Sequence, residues 1–114
     1  MSVSGDTIYA LSSGGSRAGI AVIRVSGPGA DTALRQLAGA LPAERHATLA
    51  RIKHPRTGEG IDRALILRFA APKSATGEDM AEFHIHGGGA VIAKTLAALG
   101  EVAGQGELLR FAGA

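Results

Sequence analysis

The hydrophobic pattern of residues 80–102 changes its period in the middle. In the stretch MAEFHIH, polar and apolar residues alternate, which is typical of a strand with one face toward a core. The following stretch, GGGAVIAKTLAALGEV, places Val91, Leu96 and Leu99 at helical spacing. The three glycines between them allow the backbone to bend sharply or to approach another group closely. The pattern therefore predicts a strand followed directly by a helix that packs on a sheet.

The rest of the chain adds further strands and one more clear helix. DTIYALS and GIAVIRVSG are predicted strands, the second buried on both faces except at Arg24. SGPGADTALRQLAGALP has helical spacing and stops before Pro42, while RHATLARIKH and IDRALILRFA indicate a hairpin with a loop of about six residues. GELLRFAGA begins a further short strand. The predicted fold class is α+β, a single domain over residues 1–114 with a mixed sheet of about five strands and two to three packed helices.

The composition excludes several classes of protein and site. The chain has no cysteine, so it has no disulfide, thiolate metal site or cysteine nucleophile. The net charge is +2 and the basic residues are scattered, which is not the footprint of a nucleic-acid surface. The N-terminal stretch lacks the pattern of a signal peptide, and no run approaches 18 apolar residues. We therefore expect a soluble, cytoplasmic protein.

A polar stripe is the first candidate site. On an extended strand Glu82, His84 and His86 lie on one face, and Phe83 and Ile85 lie on the other. A carboxylate and two imidazoles match the ligand preferences of zinc or iron, although positions i and i+4 are roughly 13 Å apart along a strand. The spacing therefore argues against one ion shared by all three, and the stripe also fits half-exposed polar residues or a pocket for an organic ligand; His84 has no assigned role. All three interpretations stay open.

Arg24 is the one charge inside a strongly apolar strand. A guanidinium there needs an anionic partner, which is either a carboxylate of the protein or a group on a ligand. The preceding loop, SGGSRAG, lacks the Lys-Ser or Lys-Thr pair of a phosphate-binding loop, so it is predicted to line a pocket or an interface. No serine, histidine and acid form a recognisable catalytic set, and His46 and His54 are predicted to be surface residues.

Three stretches together resemble the N-terminal domain of the tRNA-modification GTPase family, MnmE or TrmE. They are DTIYALSSGGSRAGIAVIRVSG, ATGEDMAEFHIHGG and LLRFAGA. The family has a D-T-I-x-A strand, an I-x-R-x-S-G strand and a T-G-E-D-x-x-E-x-x-x-H-G-G signature, in this order. The chain departs from it in the loop SSGGSRAG, where the family has T-P-P-G, in HGGG in place of HGGP, and at Ala75, where an aromatic residue is common.

The resemblance implies a fold related to folate-binding aminomethyltransferase domains. It implies a homodimer that binds 5-formyl- or 5,10-methylene-tetrahydrofolate as a one-carbon donor. By position, Arg24 and Glu82 correspond to folate contacts of the family. Neighbouring loop or supporting roles are expected for Arg17, Glu78, His86, Gly87 and Gly88. The resemblance implies no catalytic residue and no metal ligand in this domain.

The same resemblance places the domain in a larger system. A full-length member is a GTP hydrolase that uses GTP, magnesium and potassium, and it works with an FAD-containing partner of the MnmG or GidA type on the wobble uridine of tRNA. The GTP-binding and helical domains are not in this chain, so we expect no enzyme activity from it alone, indirect contact with tRNA and no contact with a membrane. Two alternatives remain: a dimerisation module with a decayed folate site, and a metal-binding domain that uses Glu82, His84 and His86.

Overall fold

A computed structural model describes residues 6–13, 19–102 and 110–113. It contains six strands and two helices: β1 Asp6–Ser13, β2 Ile20–Ser26, α1 Ala30–Ala38, β3 Thr48–Lys53, β4 Gly60–Phe69, β5 Met80–His86, α2 Gly89–Val102 and β6 Arg110–Gly113. The strands form one sheet in the order β3-β4-β5-β2-β1-β6. Neighbouring strands are antiparallel except β1 and β6, which are parallel. The predicted mixed α+β class is confirmed, with one strand more than expected.

Both helices pack on the same face of the sheet and form the core with it. Alternate residues of β2, β4 and β5 meet the apolar sides of α1 and α2 there. The largest buried side chains of this cluster are Phe83, Ile23, Leu34, Leu37, Ile52, Ile66, Ile85 and Leu99. The predicted register of α2 is largely confirmed, because Leu99 is buried while Val91 and Leu96 are partly buried against the core. Neither helix in the described ranges is long and apolar enough to cross a membrane.

In the ranges that the structure describes, no helix lies on the opposite face of the sheet, and we call it the open face. It is defined by the alternate residues Ile8, Arg24, Leu49, Leu65 and Glu82 with their neighbours in register. The prediction that β2 is buried on both faces is wrong: its burial alternates along the strand, and Ile20 is 53% exposed. A continuous apolar run here reflects an uncovered apolar face rather than a second helical layer.

The predicted hairpin is confirmed, whereas the first predicted helix ends three residues earlier than its expected stop before Pro42. β3 and β4 form a hairpin joined by residues 54–59, the loop of six residues expected from the turn signals. Helix α1 ends at Gly39, whose φ is 77° and whose N–H donates to Arg35 O at 2.9 Å. Arg68 donates two hydrogen bonds to Asp31, at 2.8 and 3.0 Å, and so fixes the first turn of α1 to β4.

The junction between β2 and α1 is packed tightly against β1. Gly27 has a φ of 138°, and a Cβ at this position would lie 2.7 Å from both Asp6 O and Thr7 Cα. The hydroxyl of Thr7, which is fully buried, accepts a hydrogen bond from Gly29 N at 2.8 Å. The glycine of the sequence IRVSG is thus required by a close approach of two backbones.

Candidate functional site

Arg24 and Glu82 face each other across β2 and β5 on the open face. Arg24 Nη2 donates to Glu82 Oε2 at 2.8 Å, and Nε lies 3.3 Å from the same oxygen. The Glu82 side chain is 13% exposed, whereas that of Arg24 is 37% exposed. The anionic partner that the sequence required for Arg24 is therefore a carboxylate of the protein, and the pair still reaches the surface.

The second oxygen of Glu82 is bonded to His84. His84 Nε2 lies 2.9 Å from Oε1, so the two polar residues of the stripe contact each other along β5. Burial raises the pKa of Glu82 more than any other single effect, but the hydrogen bonds from His84 and Arg24 and the charges of the same two side chains together outweigh burial. The pKa of Glu82 is consequently lowered from its ordinary value of 4.5, and the carboxylate is ionised at neutral pH.

The lowered pKa of Glu82 gives a prediction for stability against pH. A carboxyl group with a lower pKa in the folded state contributes stability that is present above its unfolded pKa and lost as the pH falls through the folded one. We expect the free energy of unfolding to decrease below about pH 4.5, with a slope from this group of at most about 1.4 kcal/mol per pH unit. Urea denaturation between pH 3 and 7 measures it.

Glu82→Gln is expected to remove this part of the pH dependence. Glu59→Gln, which changes an exposed carboxylate in the loop between β3 and β4, is the matched control and should leave the slope unchanged. A Glu82→Gln variant with the pH profile of the wild type would contradict the assignment.

A cavity of about 350 Å³ opens beside the Arg24–Glu82 pair. It lies between the open face and the loop that joins β4 to β5, and its lining residues are Arg24, Arg45, Phe69, Lys73, Ser74, Ala75, Met80 and Glu82. The volume is in the range of small-molecule sites, which combine apolar walls with a few polar groups. Phe69 and Met80 supply apolar surface and Glu82 supplies an anionic acceptor.

Six of the eight lining residues were not predicted as site residues, and the largest of them are Arg45, Phe69, Lys73 and Met80. Arg45 and Lys73 lie in loops, and Phe69 is the last residue of β4, so none belongs to a periodic pattern that marks a site. The Arg45 guanidinium lies 5.3 Å from the centre of the Phe69 ring, a pairing across 24 positions that the sequence does not reveal. Ala75, where the resembling family often has an aromatic residue, leaves that part of the cavity wall small.

A second cavity of about 350 Å³ lies on the other side of Arg24. Its lining residues are Ile8, Ala10, Ser12, Arg24, Ser26, Thr76 and Glu78. Glu78 accepts a hydrogen bond from the Ser26 hydroxyl at 2.9 Å, and the same hydroxyl lies 2.7 Å from Thr76 Oγ1. Glu78, predicted to lie near the site, is therefore next to Arg24 but in this neighbouring cavity.

His86 leaves the stripe and pairs with β4. Its Nδ1 is 2.8 Å from Asp62 Oδ1, and its backbone N–H donates to Asp62 Oδ2 at 2.8 Å. Two bonds to one carboxylate fix both the ring and the backbone at the end of β5. The His86 ring is therefore bonded to Asp62, whereas the His84 ring is bonded to Glu82. This geometry gives His86 a role in positioning the bend rather than in the stripe.

The glycines after His86 form the bend that the sequence predicted. Gly87 is buried and its N–H donates to Gly19 O at 3.1 Å, while Gly88 O accepts from Ile92 N at 3.0 Å as α2 begins. Arg17, the remaining residue predicted near the site, lies outside the described residues. In the part of the chain that the structure describes, no three histidine, aspartate or glutamate side chains form a group able to hold a metal ion.

The sequence matches one protein family over nearly its whole length. Residues 7–112 match the family described as GTP-binding protein TrmE N-terminus. The mitochondrial 5-taurinomethyluridine-tRNA synthase subunit GTPB3 of Danio rerio is 57% identical over 99 residues, which are 87% of this chain and 20% of that protein. The human protein of the same name is 57% identical over 103 residues, covering 89% of this chain and 21% of its own length.

A bacterial relative is similar to the same extent. The tRNA modification GTPase MnmE of Novosphingobium aromaticivorans is 58% identical over 99 residues, 87% of this chain and 23% of its own length. The chain thus spans about a fifth of the length of the curated relatives it matches.

Proposed function

The chain belongs to the family of TrmE N-terminal domains, and from this premise we propose that it is the tetrahydrofolate-binding and homodimerising domain of a GTPase that modifies the wobble uridine of tRNA. In this proposal it binds 5-formyl- or 5,10-methylene-tetrahydrofolate as the one-carbon donor. GTP, magnesium and potassium are used by other domains of a longer cytoplasmic protein, and an FAD-containing partner completes the modification. The domain itself has no hydrolase activity and reaches tRNA indirectly.

The observation that carries the proposal is the ionised carboxylate of Glu82 at the wall of a ligand-sized cavity. A carboxylate offers about four acceptor positions. Arg24 and His84 occupy two of them at 2.8 and 2.9 Å, and the remaining contact, from Arg24 Nε, is longer at 3.3 Å. A pterin presents a ring N–H beside an exocyclic amino group, so it offers two donors: one for the acceptor position that is left on Oε1, and one that replaces the longer contact from Arg24 Nε on Oε2.

The other walls of the cavity suit a flat heterocycle. The Phe69 ring and the buried Met80 side chain give apolar surface next to Glu82, which favours packing of a ring against them. Arg24 remains 37% exposed beside the cavity and can donate to a ligand oxygen without releasing Glu82. The one-carbon chemistry is that of the folate, and the residues present bind and orient it.

Calorimetric titration of 5-formyltetrahydrofolate into the domain tests this proposal. We expect saturable binding of one folate per chain, weakened by Glu82→Gln by about 1–3 kcal/mol because a partly buried carboxylate that accepts from two donors of the ligand is lost. That range corresponds to about 5- to 150-fold in Kd. Arg24→Ala is expected to weaken binding in the same direction.

Glu59→Gln is the control for Glu82→Gln, because it removes the same charge from an exposed position remote from the cavity. An affinity that Glu82→Gln leaves unchanged would place the folate elsewhere. A domain that remains folded, by circular dichroism, and gives no heat with folate would favour the second candidate function, a dimerisation module without a working folate site.

Dimerisation is supported by the apolar residues of the open face. Ile20, Leu49 and Leu65 are 53%, 55% and 43% exposed, and Leu49 lies directly opposite Leu65 in the β3–β4 register. Exposed apolar side chains grouped on one uncovered sheet face are typical of an interaction surface. A second copy of the same face covers them symmetrically, as in most homodimers.

A further inference from the structure

Two cationic side chains line the cavity beside Glu82 without a close carboxylate partner. Arg45 Nε is 3.9 Å from Glu44 Oε2, whereas Arg24 is 2.8 Å from Glu82. The oxygen of Glu44 nearest to Arg45 also accepts a hydrogen bond from Ala70 N at 3.1 Å. Lys73 forms no ion pair with any residue in the described ranges. We call Arg45 and Lys73 the cationic rim.

Arg45 is held in position by its own loop. Its backbone lies in the left-handed region, at φ 64°, and its N–H donates to Arg68 O at 2.9 Å. Its guanidinium lies over the Phe69 ring and donates to the carbonyl oxygen of Lys73. A side chain with these contacts loses less freedom when a ligand binds. Arg45 and Lys73 both line the same cavity.

The net charge differs between the part of the cavity at the sheet, beside Arg24 and Glu82, and the cationic rim. Arg24 and Glu82 neutralise each other at the sheet, so the inner part carries little net charge. The rim carries two positive charges, and in the described ranges Glu44, at the longer distance, is the one carboxylate within ion-pair range of it. A neutral heterocycle gains little from such a rim, whereas a ligand with carboxylates attached to the heterocycle gains from it directly.

We propose that Arg45 and Lys73 bind the carboxylates of the glutamyl tail of the folate, so that the domain distinguishes tail-bearing folates from a pterin without a tail. The proposal rests on the proposed function, since it takes the ring of the same ligand to lie against Glu82. The rim then sets the preference among folates, and longer glutamyl tails bind more tightly than a single glutamate.

The test compares three ligands in calorimetric titrations: 5-formyltetrahydrofolate with one glutamate, the same compound with three glutamates, and 6-methyltetrahydropterin, which has no tail. The double variant Arg45→Gln, Lys73→Gln is expected to weaken binding of the tail-bearing ligands by about 5- to 25-fold, as for two partly exposed ion pairs. Binding of the tailless pterin is expected to change less than about twofold.

Three comparisons separate charge recognition from a structural effect. Arg35→Gln with Lys94→Gln makes the same charge change on exposed positions of the two helices and should leave all affinities unchanged. Arg45→Lys should recover most of the affinity that Arg45→Gln loses. In the wild type, added NaCl should weaken the tail-bearing ligands and not the tailless pterin.

Each contrary result has a distinct meaning. If the double variant loses the same affinity for ligands with and without a tail, or loses none for either, the role of the rim is overturned. The effect of Glu82→Gln on folate binding still tests the proposed function independently. Salt-independent binding of the triglutamate in the wild type overturns it as well, even if the double variant fails to fold. Absence of binding of every ligand to the folded wild type overturns the proposed function together with this inference.

Discussion

Replacing Gly27 with alanine is expected to lower the free energy of unfolding by about 2–6 kcal/mol. The new Cβ would lie 2.7 Å from Asp6 O and from Thr7 Cα, and both are backbone atoms that no side-chain rotation can move away. The φ of 138° adds strain for any residue with a side chain. Because domains of this size are stable by only about 5–15 kcal/mol, a change near the upper limit removes much of the stability.

Urea denaturation followed by circular dichroism measures this loss, and Gly39→Ala is its matched control. Gly39 also has a positive φ, 77°, but a Cβ there meets nothing within 4 Å. The control should cost only about 1–2 kcal/mol, from the left-handed backbone alone. If the two variants lost equal stability, the close approach of β1 to Gly27 would not be what requires the glycine.

Replacing Leu65 with aspartate is expected to convert a dimer into a monomer. In the proposed homodimer the two copies each bring Leu65 to the contact, so the change removes two apolar side chains and places two carboxylates between the sheets. Burying a charge without a partner costs several kcal/mol, so the dimer dissociation constant should rise by more than about a hundredfold. Ile20→Asp is expected to act in the same way from the other side of the open face.

Sedimentation equilibrium decides this, with the wild type expected at twice the chain mass of 11.5 kDa. Ala93→Asp, at an exposed position of α2 on the covered side of the sheet, is the control and should remain dimeric. A wild type that is monomeric at high concentration would count against dimerisation, and dimeric aspartate variants would place the interface on another surface.

The sequence predicts those features that follow from a short-range pattern, such as the alternation of polar and apolar residues along a strand. The stripe of Glu82 and His84 opposite Phe83 and Ile85 follows from the twofold alternation of a strand, and the structure has it. The hairpin of β3 and β4 follows from turn signals over a short distance. Each of these depends on residues that are close in the chain, so local physical chemistry determines them.

The partners across the sheet are not predictable in this way. Arg24 meets Glu82 because β5 inserts between β4 and β2, and the order of strands depends on how the whole chain packs. For the same reason the sequence left open which anion Arg24 would meet. The contact of His86 with Asp62 and the position of Arg45 over Phe69 likewise depend on register between strands and on loops.

The parallel pairing of β6 with β1 has a consequence for how the protein is made. Asp6 to Tyr9 pair with Arg110 to Gly113, across on the order of 100 positions of the chain. Such contacts form last as the chain leaves the ribosome, so one side of β1 has no hydrogen-bonding partner while the rest of the sheet assembles. The sheet is therefore completed at its β1 side only when almost all of the domain has been synthesised.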